Sequence, residues 1–236
     1  MKEIIFGRNP VKEALKAKRV LKVYISQGFS DRNLLNLLAE SFVPKVVKTN
    51  NEINALANGG VHQGIVAEIK PYEYVSLDYL LHQCKGEQNP TLVMLDGIND
   101  PHNMGTVLRN CDIFGVKGVI ISKHNQVPLN STVAKTSAGA INYVPVALVS
   151  NLNQAIATLK ENGFWILSAD GSGKTSYLDL KYDFPTVLVI GSEGNGIAPL
   201  ILKNSDYIVK IPMYGKVNSL NASVASGILL AKIKEV

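Results

Sequence analysis

The sequence predicts an α/β protein of two modules, a small N-terminal α/β domain and a larger C-terminal domain built on a parallel sheet. Three observations carry that reading. Short β-branched runs alternate with helical patterns along the whole chain. The strand candidates beyond residue 90 are apolar on both faces, as expected of a parallel sheet covered by helices on each side. The basic excess is confined to the first third: residues 1–70 hold 11 Lys/Arg against 6 Asp/Glu, and residues 71–236 hold 13 of each.

In the first module "IIFG" is a strand candidate, and Asn9-Pro10 opens a helix, because proline fits the first helical turn where its missing N–H costs nothing. "VLKVYIS" reads as a strand, and Asp31 is a natural N-cap for "RNLLNLLAESF". "PKVVKT" (strand), "NNEINALA" (helix) and "HQGIVAEI" (strand) complete a domain over residues 1–70. Residues 71–90 begin and end with proline, contain one short helical pattern from Ser76 to Cys84, and read as a linker.

The second module, residues 91–236, offers the strands "TLVMLDGI", "GVIIS", "YVPVALV", "FWILSA", "TVLVIG" and "DYIVKI". Its helices begin near Asp100, Ser131, Asn151, Ala198 and Ser219, the last taken as an N-cap. Ligands of such sheets gather beyond the carboxyl ends of the strands. That directs attention to "ADGSGKTS" (169–176), "GSEGNG" (191–196) and "IPMYGKVNSLN" (211–221).

Composition narrows the function. A chain of 236 residues with 46% hydrophobic content has ample core, and no apolar run approaches the roughly 18 residues that span a bilayer. With no secretory h-region at its start, a soluble, cytoplasmic protein is expected. Cys84 and Cys111 fit no disulfide framework, and His62, His82, His102 and His124 lack metal-ligand spacing, so no structural metal is expected. The basic run Lys2, Arg8, Lys12, Lys16, Lys18, Arg19 and Lys22 suits either a solvated helix face or a phosphate-contacting surface, and Arg8, Lys12 and Arg19 are the candidate nucleic-acid contacts.

"DPHNMGTVLRNC" is a helix start, with Asp100 as N-cap and Pro101 in the first turn. Met104, Val107, Leu108, Cys111 and Phe114 form its apolar stripe, and Arg109 projects roughly 160° from the centre of that stripe. Its neighbours there, Gly105, Thr106 and Ile113, are not the Lys/Glu mixture of a washed surface, so the face suits a partner as well as solvent. "GSGKTS" is not a phosphate-binding P-loop, because the required earlier glycine is Ser168 and no amphipathic helix follows Thr175. "GSEGNG" has its glycines in the order GxxGxG, unlike the dinucleotide fingerprint, and implies close approach by a ligand or by another chain segment. Beyond the third loop Ala222, Ala225, Ser226 and Gly227 allow tight helix packing, behind a polar cluster of Asn218, Ser219 and Asn221.

"DPHNMGTVLRNCDIFG", "LVIGSEGNGI" and "IPMYGKVNSLNASVA" together resemble motifs 1, 2 and 3 of the SpoU, or TrmH-type, RNA 2′-O-ribose methyltransferases of the SPOUT superfamily. The first module, with "VHQGIVAEI" near its end, resembles the L30e-like RNA substrate-binding domain of the branch acting on large-subunit ribosomal RNA. The resemblance implies a C-terminal domain with a trefoil knot that holds S-adenosyl-L-methionine, and a homodimer with active sites at the subunit interface. It implies cofactor contacts at Gly191, Ile211 and Leu220, with Ala169 and Gly171 lining the same pocket. Arg109 would be the catalytic residue of motif 1, with Asn103, Glu193, Ser219 and Asn221 completing the polar site. Ala222 stands where valine is frequent in the family and Cys111 where alanine is.

The chemistry of the residues agrees. A ribose hydroxyl is a weak nucleophile that needs alignment and help with its proton. A guanidinium stays protonated, which favours Arg109 as a phosphate and hydroxyl contact over a general base, with Glu193 a candidate ion-pair partner. The implied target is a guanosine of 23S rRNA. The alternatives are transfer RNA or another ribosomal site, and an RNA-binding module without activity.

Overall fold

The computed structural model describes residues 3–217 and 219–235. Lys2 of the basic run and Asn218 of the polar cluster lie outside the described residues. The N-terminal elements are β1 (Glu3–Phe6), α1 (Arg8–Lys16), β2 (Val20–Ser26), α2 (Arg32–Glu40), β3 (Lys45–Lys48), α3 (Asn50–Leu56) and β4 (Ile65–Ile69). There follow α4 (Leu77–Gln83), β5 (Thr91–Asp96), α5 (Pro101–Ile113), β6 (Gly118–Ser122), α6 (Ser131–Thr136), β7 (Val146–Val149) and α7 (Leu152–Glu161). The chain continues through β8 (Trp165–Ala169), β9 (Thr175–Ser176), β10 (Thr186–Gly191), α8 (Pro199–Asn204), β11 (Tyr207–Lys210) and α9 (Ala222–Ile233).

Contacts divide the chain into two compact units: the segment up to Glu73 with Leu129–Tyr143, and Tyr74–Pro128 with the chain from Val144 onward. This partition differs from boundaries at residues 70 and 90 in two places. The stretch read as a linker joins the second unit, because Ser76 caps α4 and α4 inserts the fully buried Leu80 into that unit's core. Leu129–Tyr143, expected in the second module, packs with the first, where α6 lies against β1 and the Tyr143 hydroxyl donates to Glu13 Oε2 at 2.8 Å.

In the first unit the sheet order is β1-β4-β2-β3, with β4 antiparallel to both neighbours and β2 parallel to β3. Alternation along the strands sends Ile5, Val23 and Ile65 into a core with Val11 of α1. Tyr24 and Val66 point the other way, onto Ile53 and Ala57 beside α3. The Thr49 side chain and Glu52 cap α3 reciprocally, which fixes where that helix starts.

The second unit carries a parallel sheet in the order β7-β6-β5-β10-β8-β11-β9. Leu92, Met94, Ile120, Ile166, Val187 and Val189 face α4, α7 and α8, and the intervening residues face the side where α5 and α9 pack on one another. Burial on both faces is why these strands are continuous apolar runs. Among the described residues no helix is long and apolar enough to cross a membrane.

Candidate active site

The helix bearing Arg109 forms as its caps dictate. Asp100 Oδ1 accepts the His102 backbone N–H at 2.8 Å, and Pro101 occupies the first turn. Met104, Val107, Leu108 and Cys111 are wholly buried, whereas Arg109 is exposed and Ile113 is 63% exposed beside it. Burial pushes the Cys111 thiol well above the ordinary thiol range, with the neighbouring Asp112 acting in the same direction.

The glycine loop after β10 is closed by its own backbone. Ser192 N–H donates to the Gly196 carbonyl at 3.1 Å, and Gly196 N–H returns to the Ser192 carbonyl at 2.9 Å. A Cβ on Gly191 would lie 2.2 Å from the Gly196 carbonyl carbon and 2.5 Å from Ile197 N. The close approach read from "GSEGNG" is therefore, at Gly191, an approach by another chain segment.

Helix α9 starts two residues later than a Ser219 cap implies. Its N-cap is Asn221, whose Oδ1 accepts from Ser223 N at 2.9 Å and Ser223 Oγ at 2.6 Å. An amide caps with its oxygen and still donates two hydrogens through nitrogen, whereas a serine hydroxyl has one to donate. Asn221 Nδ2 donates to Asn103 Oδ1 at 2.9 Å and also to Glu193 Oε1, and Asn103 Nδ2 donates to the same Glu193 oxygen at 2.8 Å. Three residues far apart in sequence thus form one network. Asn110, which the sequence reading passed over, ties α5 to α9 by donating to the Ser223 carbonyl at 2.9 Å and to Ser226 Oγ at 3.0 Å. The small residues at 223, 226 and 227 make room for it, since a Cβ on Gly227 would already be 3.3 Å from Asn110 Nδ2.

Beyond the carboxyl ends of β8, β10 and β11 lies a cavity of about 600 Å³, within the size range of small-molecule sites. Ala169, Gly171, Gly191, Ile211 and Leu220 all line it, as do Glu193 and Ser219. Val209, Ile211, Ala222 and Ala225 supply an apolar wall. Gly171 and Gly215 leave space where a Cβ would meet nothing. Asp170, a further lining residue missed in the sequence, holds the loop by accepting from Ser172 N at 2.9 Å and Ser172 Oγ at 2.6 Å. Its signal was a carboxylate directly after a strand, at the end where ligands gather.

Two expected pairings differ. Arg109 forms no ion pair with Glu193 among the described residues, since Glu193 Oε1 is held by the amides of Asn103 and Asn221. The three candidate RNA contacts do not act alike. Arg8 and Lys12 are exposed and one turn apart on α1. The Arg19 guanidinium instead donates to the carbonyls of Lys70 at 2.9 Å and Pro71 at 2.6 Å and lies over the Tyr72 ring at 4.6 Å, a structural clamp. Among the described residues no group of three or more His, Cys, Asp or Glu gathers as a metal site would require.

Comparison with known proteins matches this architecture in both parts. Residues 90–231 match the SpoU rRNA methylase family, and residues 4–75 match the RNA 2′-O ribose methyltransferase substrate-binding family. The chain is similar to a TrmH family tRNA/rRNA methyltransferase of Staphylococcus haemolyticus, at 42% identity over 98% of this chain and 94% of the relative. The fold is that of the SpoU methyltransferase AviRb from Streptomyces viridochromogenes, solved with AdoMet, with a TM-score of 0.82 and 20% identity over 98% of this chain and 89% of that one. A TrmH/SpoU tRNA modifying enzyme of A. aeolicus aligns at 30% identity, TM-score 0.57, over 67% of this chain and 80% of its own. The chain belongs to the SpoU/TrmH family of RNA 2′-O-ribose methyltransferases.

Proposed function

We propose that this enzyme uses S-adenosyl-L-methionine to methylate a ribose 2′-hydroxyl of ribosomal RNA, with a guanosine of 23S rRNA as the target, and that it acts in the cytoplasm as a homodimer. The observation that carries the site is the convergence of the Asn103, Glu193 and Asn221 network with the cavity, Glu193 belonging to both. A cavity with an apolar wall, two open glycines and the carboxylates of Asp170 and Glu193 suits a nucleoside bearing a positive centre. Ala169, Gly171, Gly191, Ile211 and Leu220 would hold that cofactor. When bound it supplies an activated methyl group on a sulfonium.

The chain's own residues then perform alignment and charge placement. Glu193, fixed by two amide donors, sets a carboxylate at the cavity wall without being neutralised by Arg109. Arg109 keeps its donors free to bind the phosphate of the target nucleotide and polarise the hydroxyl, and Ser219 adds a hydroxyl at the rim. Ile113 and Val224, 63% and 49% exposed on α5 and α9, supply apolar area for a second copy, so that Arg109 works at the subunit interface. The C-terminal segment would thread a loop of this domain to form a trefoil knot, an exception to the unknotted rule.

The test is methyl transfer from labelled cofactor to purified 23S rRNA and to transfer RNA, followed by mapping of the modified ribose. A single 2′-O-methylguanosine in 23S rRNA is expected. Modification of transfer RNA alone overturns the ribosomal target, and a folded protein that binds cofactor but methylates neither is an RNA-binding module.

A further inference from the structure

A second cavity, about 400 Å³, opens in the first unit and shares no lining residue with the cavity of the second unit. Arg8, Phe29, Asn54, His62 and Gln63 line it. Its hydrogen bonds determine which way each amide points. His62 Nδ1 accepts the Gly64 backbone N–H at 3.0 Å, so in the neutral ring the proton sits on Nε2, which donates to Asn54 Oδ1 at 2.8 Å. Gln63 Oε1 accepts the Arg8 backbone N–H at 2.9 Å. Both amide oxygens are engaged, and both NH₂ groups are left without a partner among the described residues.

The geometry is held at some cost. Gln63 has a φ of 53°, a left-handed conformation that a residue with a Cβ adopts only when its surroundings impose it. Gly7 supports the turn that presents the Arg8 N–H, because its φ of 97° is a backbone conformation that a residue with a Cβ rarely adopts. At the mouth, the Arg8 guanidinium lies 5.5 Å from the Phe29 ring centre and 3.6 Å from Asp31 Oδ2, which orients its plane. An aromatic ring, a planar cation and a pair of amide donors without a partner are groups that recognise a splayed, unpaired base.

We infer that this cavity takes one unpaired RNA nucleotide whose base presents carbonyl acceptors, uracil or guanine, with a phosphate against Arg8. Adenine is disfavoured because its amino group would meet the donors of Asn54 and Gln63. This rests on the reading of the first unit as an RNA-binding module and adds base selectivity to it.

The experiment is fluorescence anisotropy of the full chain with labelled rU6 and rA6 across a salt series. Wild type should bind rU6 about tenfold more tightly than rA6, the scale of two neutral hydrogen bonds at roughly fivefold each with partial non-additivity. Asn54→Ala, at an exposed helical position where alanine is well tolerated, should weaken rU6 about fivefold and leave rA6 and cofactor binding unchanged. Thermal unfolding of the variant reports its fold. Equal, salt-sensitive binding of both oligonucleotides by wild type, or equal weakening of both in Asn54→Ala, overturns the base selectivity and leaves the RNA-binding reading of α1 standing. Absence of binding to either overturns both.

Discussion

The two cavities are built by opposite means. In the second unit the walls are glycine loops, strand ends and small apolar side chains, and one lining carboxylate, Glu193, is locked across motifs by Asn103 and Asn221. In the first unit the lining is mostly side chains, where Gln63 and Asn54 engage their amide oxygens and keep their NH₂ groups, unpartnered among the described residues, beside the Arg8 guanidinium. A site made by backbone shape tolerates little change in chain path. A site made by side chains loses affinity one hydrogen bond at a time. That difference orders what mutation should do to each.

The largest effect is expected at Arg109. Arg109→Ala should lower single-turnover methylation by about 100- to 1,000-fold at saturating RNA and cofactor, because a positioned charge acts mainly in the transition state. Stability and cofactor affinity should stay near wild type, since the side chain is exposed and outside the apolar stripe. Arg109→Lys should recover little of the rate, as a point charge does not reproduce a planar fork of donors. A well-folded Arg109→Ala protein with normal rates would return this residue to an ordinary surface cation.

Gly191→Ala tests the claim that the cofactor cavity depends on backbone proximity. The added Cβ would meet backbone atoms of Gly196 and Ile197 at 2.2–2.5 Å, and the loop cannot yield without moving the cavity wall. A stability loss of about 1–3 kcal/mol by denaturant titration is expected, together with a weaker cofactor isotherm by calorimetry. An unchanged isotherm would mean that the loop between residues 191 and 196 is not a wall of the binding site.

The cations of the first unit should separate into two behaviours. Neutralising Arg8 and Lys12 together should weaken RNA binding several-fold and flatten its salt dependence by up to about two counterions, with stability unaffected. Arg19→Ala should instead destabilise the protein by roughly 2 kcal/mol, because it removes donors to two carbonyls and the contact with Tyr72. If Arg19→Ala lowered RNA affinity while leaving the unfolding midpoint untouched, the clamp would be the wrong description.

What the sequence disclosed follows from how local each cause is. Asp100 and Pro101 announce α5, and Asp31 announces α2, because capping is settled within four residues. The glycine loops marked where the cavity lies, but its five residues Ala169, Gly171, Gly191, Ile211 and Leu220 came from the resemblance of those loops to the family's motifs and not from local pattern. Asn221 was misplaced in favour of Ser219, since the choice depends on Asn103 and Glu193, both remote in sequence. For the same reason Arg19 reads as one more cation in a basic run until Tyr72 and the carbonyls of Lys70 and Pro71 are folded onto it. The membership of Leu129–Tyr143 in the first unit depends on contacts with β1 and Glu13 that no local pattern encodes.

The smallest expected effect concerns the segment read as a linker. If α4 is part of the second unit's core, the thiol of Cys84 at its C-cap must ionise with difficulty, and burial pushes it up to about 11, with Lys117 opposing. A folded-state pKa above the unfolded value near 9 means that the unfolded chain releases this proton first. The thiol's contribution is therefore complete below about pH 9 and is lost as the pH climbs through about 11. Lys234, whose pKa burial lowers with help from Lys117, acts in the opposite sense, so wild type alone does not isolate the thiol. The comparison is between wild type and Cys84→Ala. The stability advantage of wild type over the variant should be constant up to about pH 8.5 and shrink between pH 9 and 11, by an amount on the order of 1 kcal/mol. A difference that stays flat to pH 11 would place Cys84 in contact with water, and residues 74–90 would then be a tether instead of core.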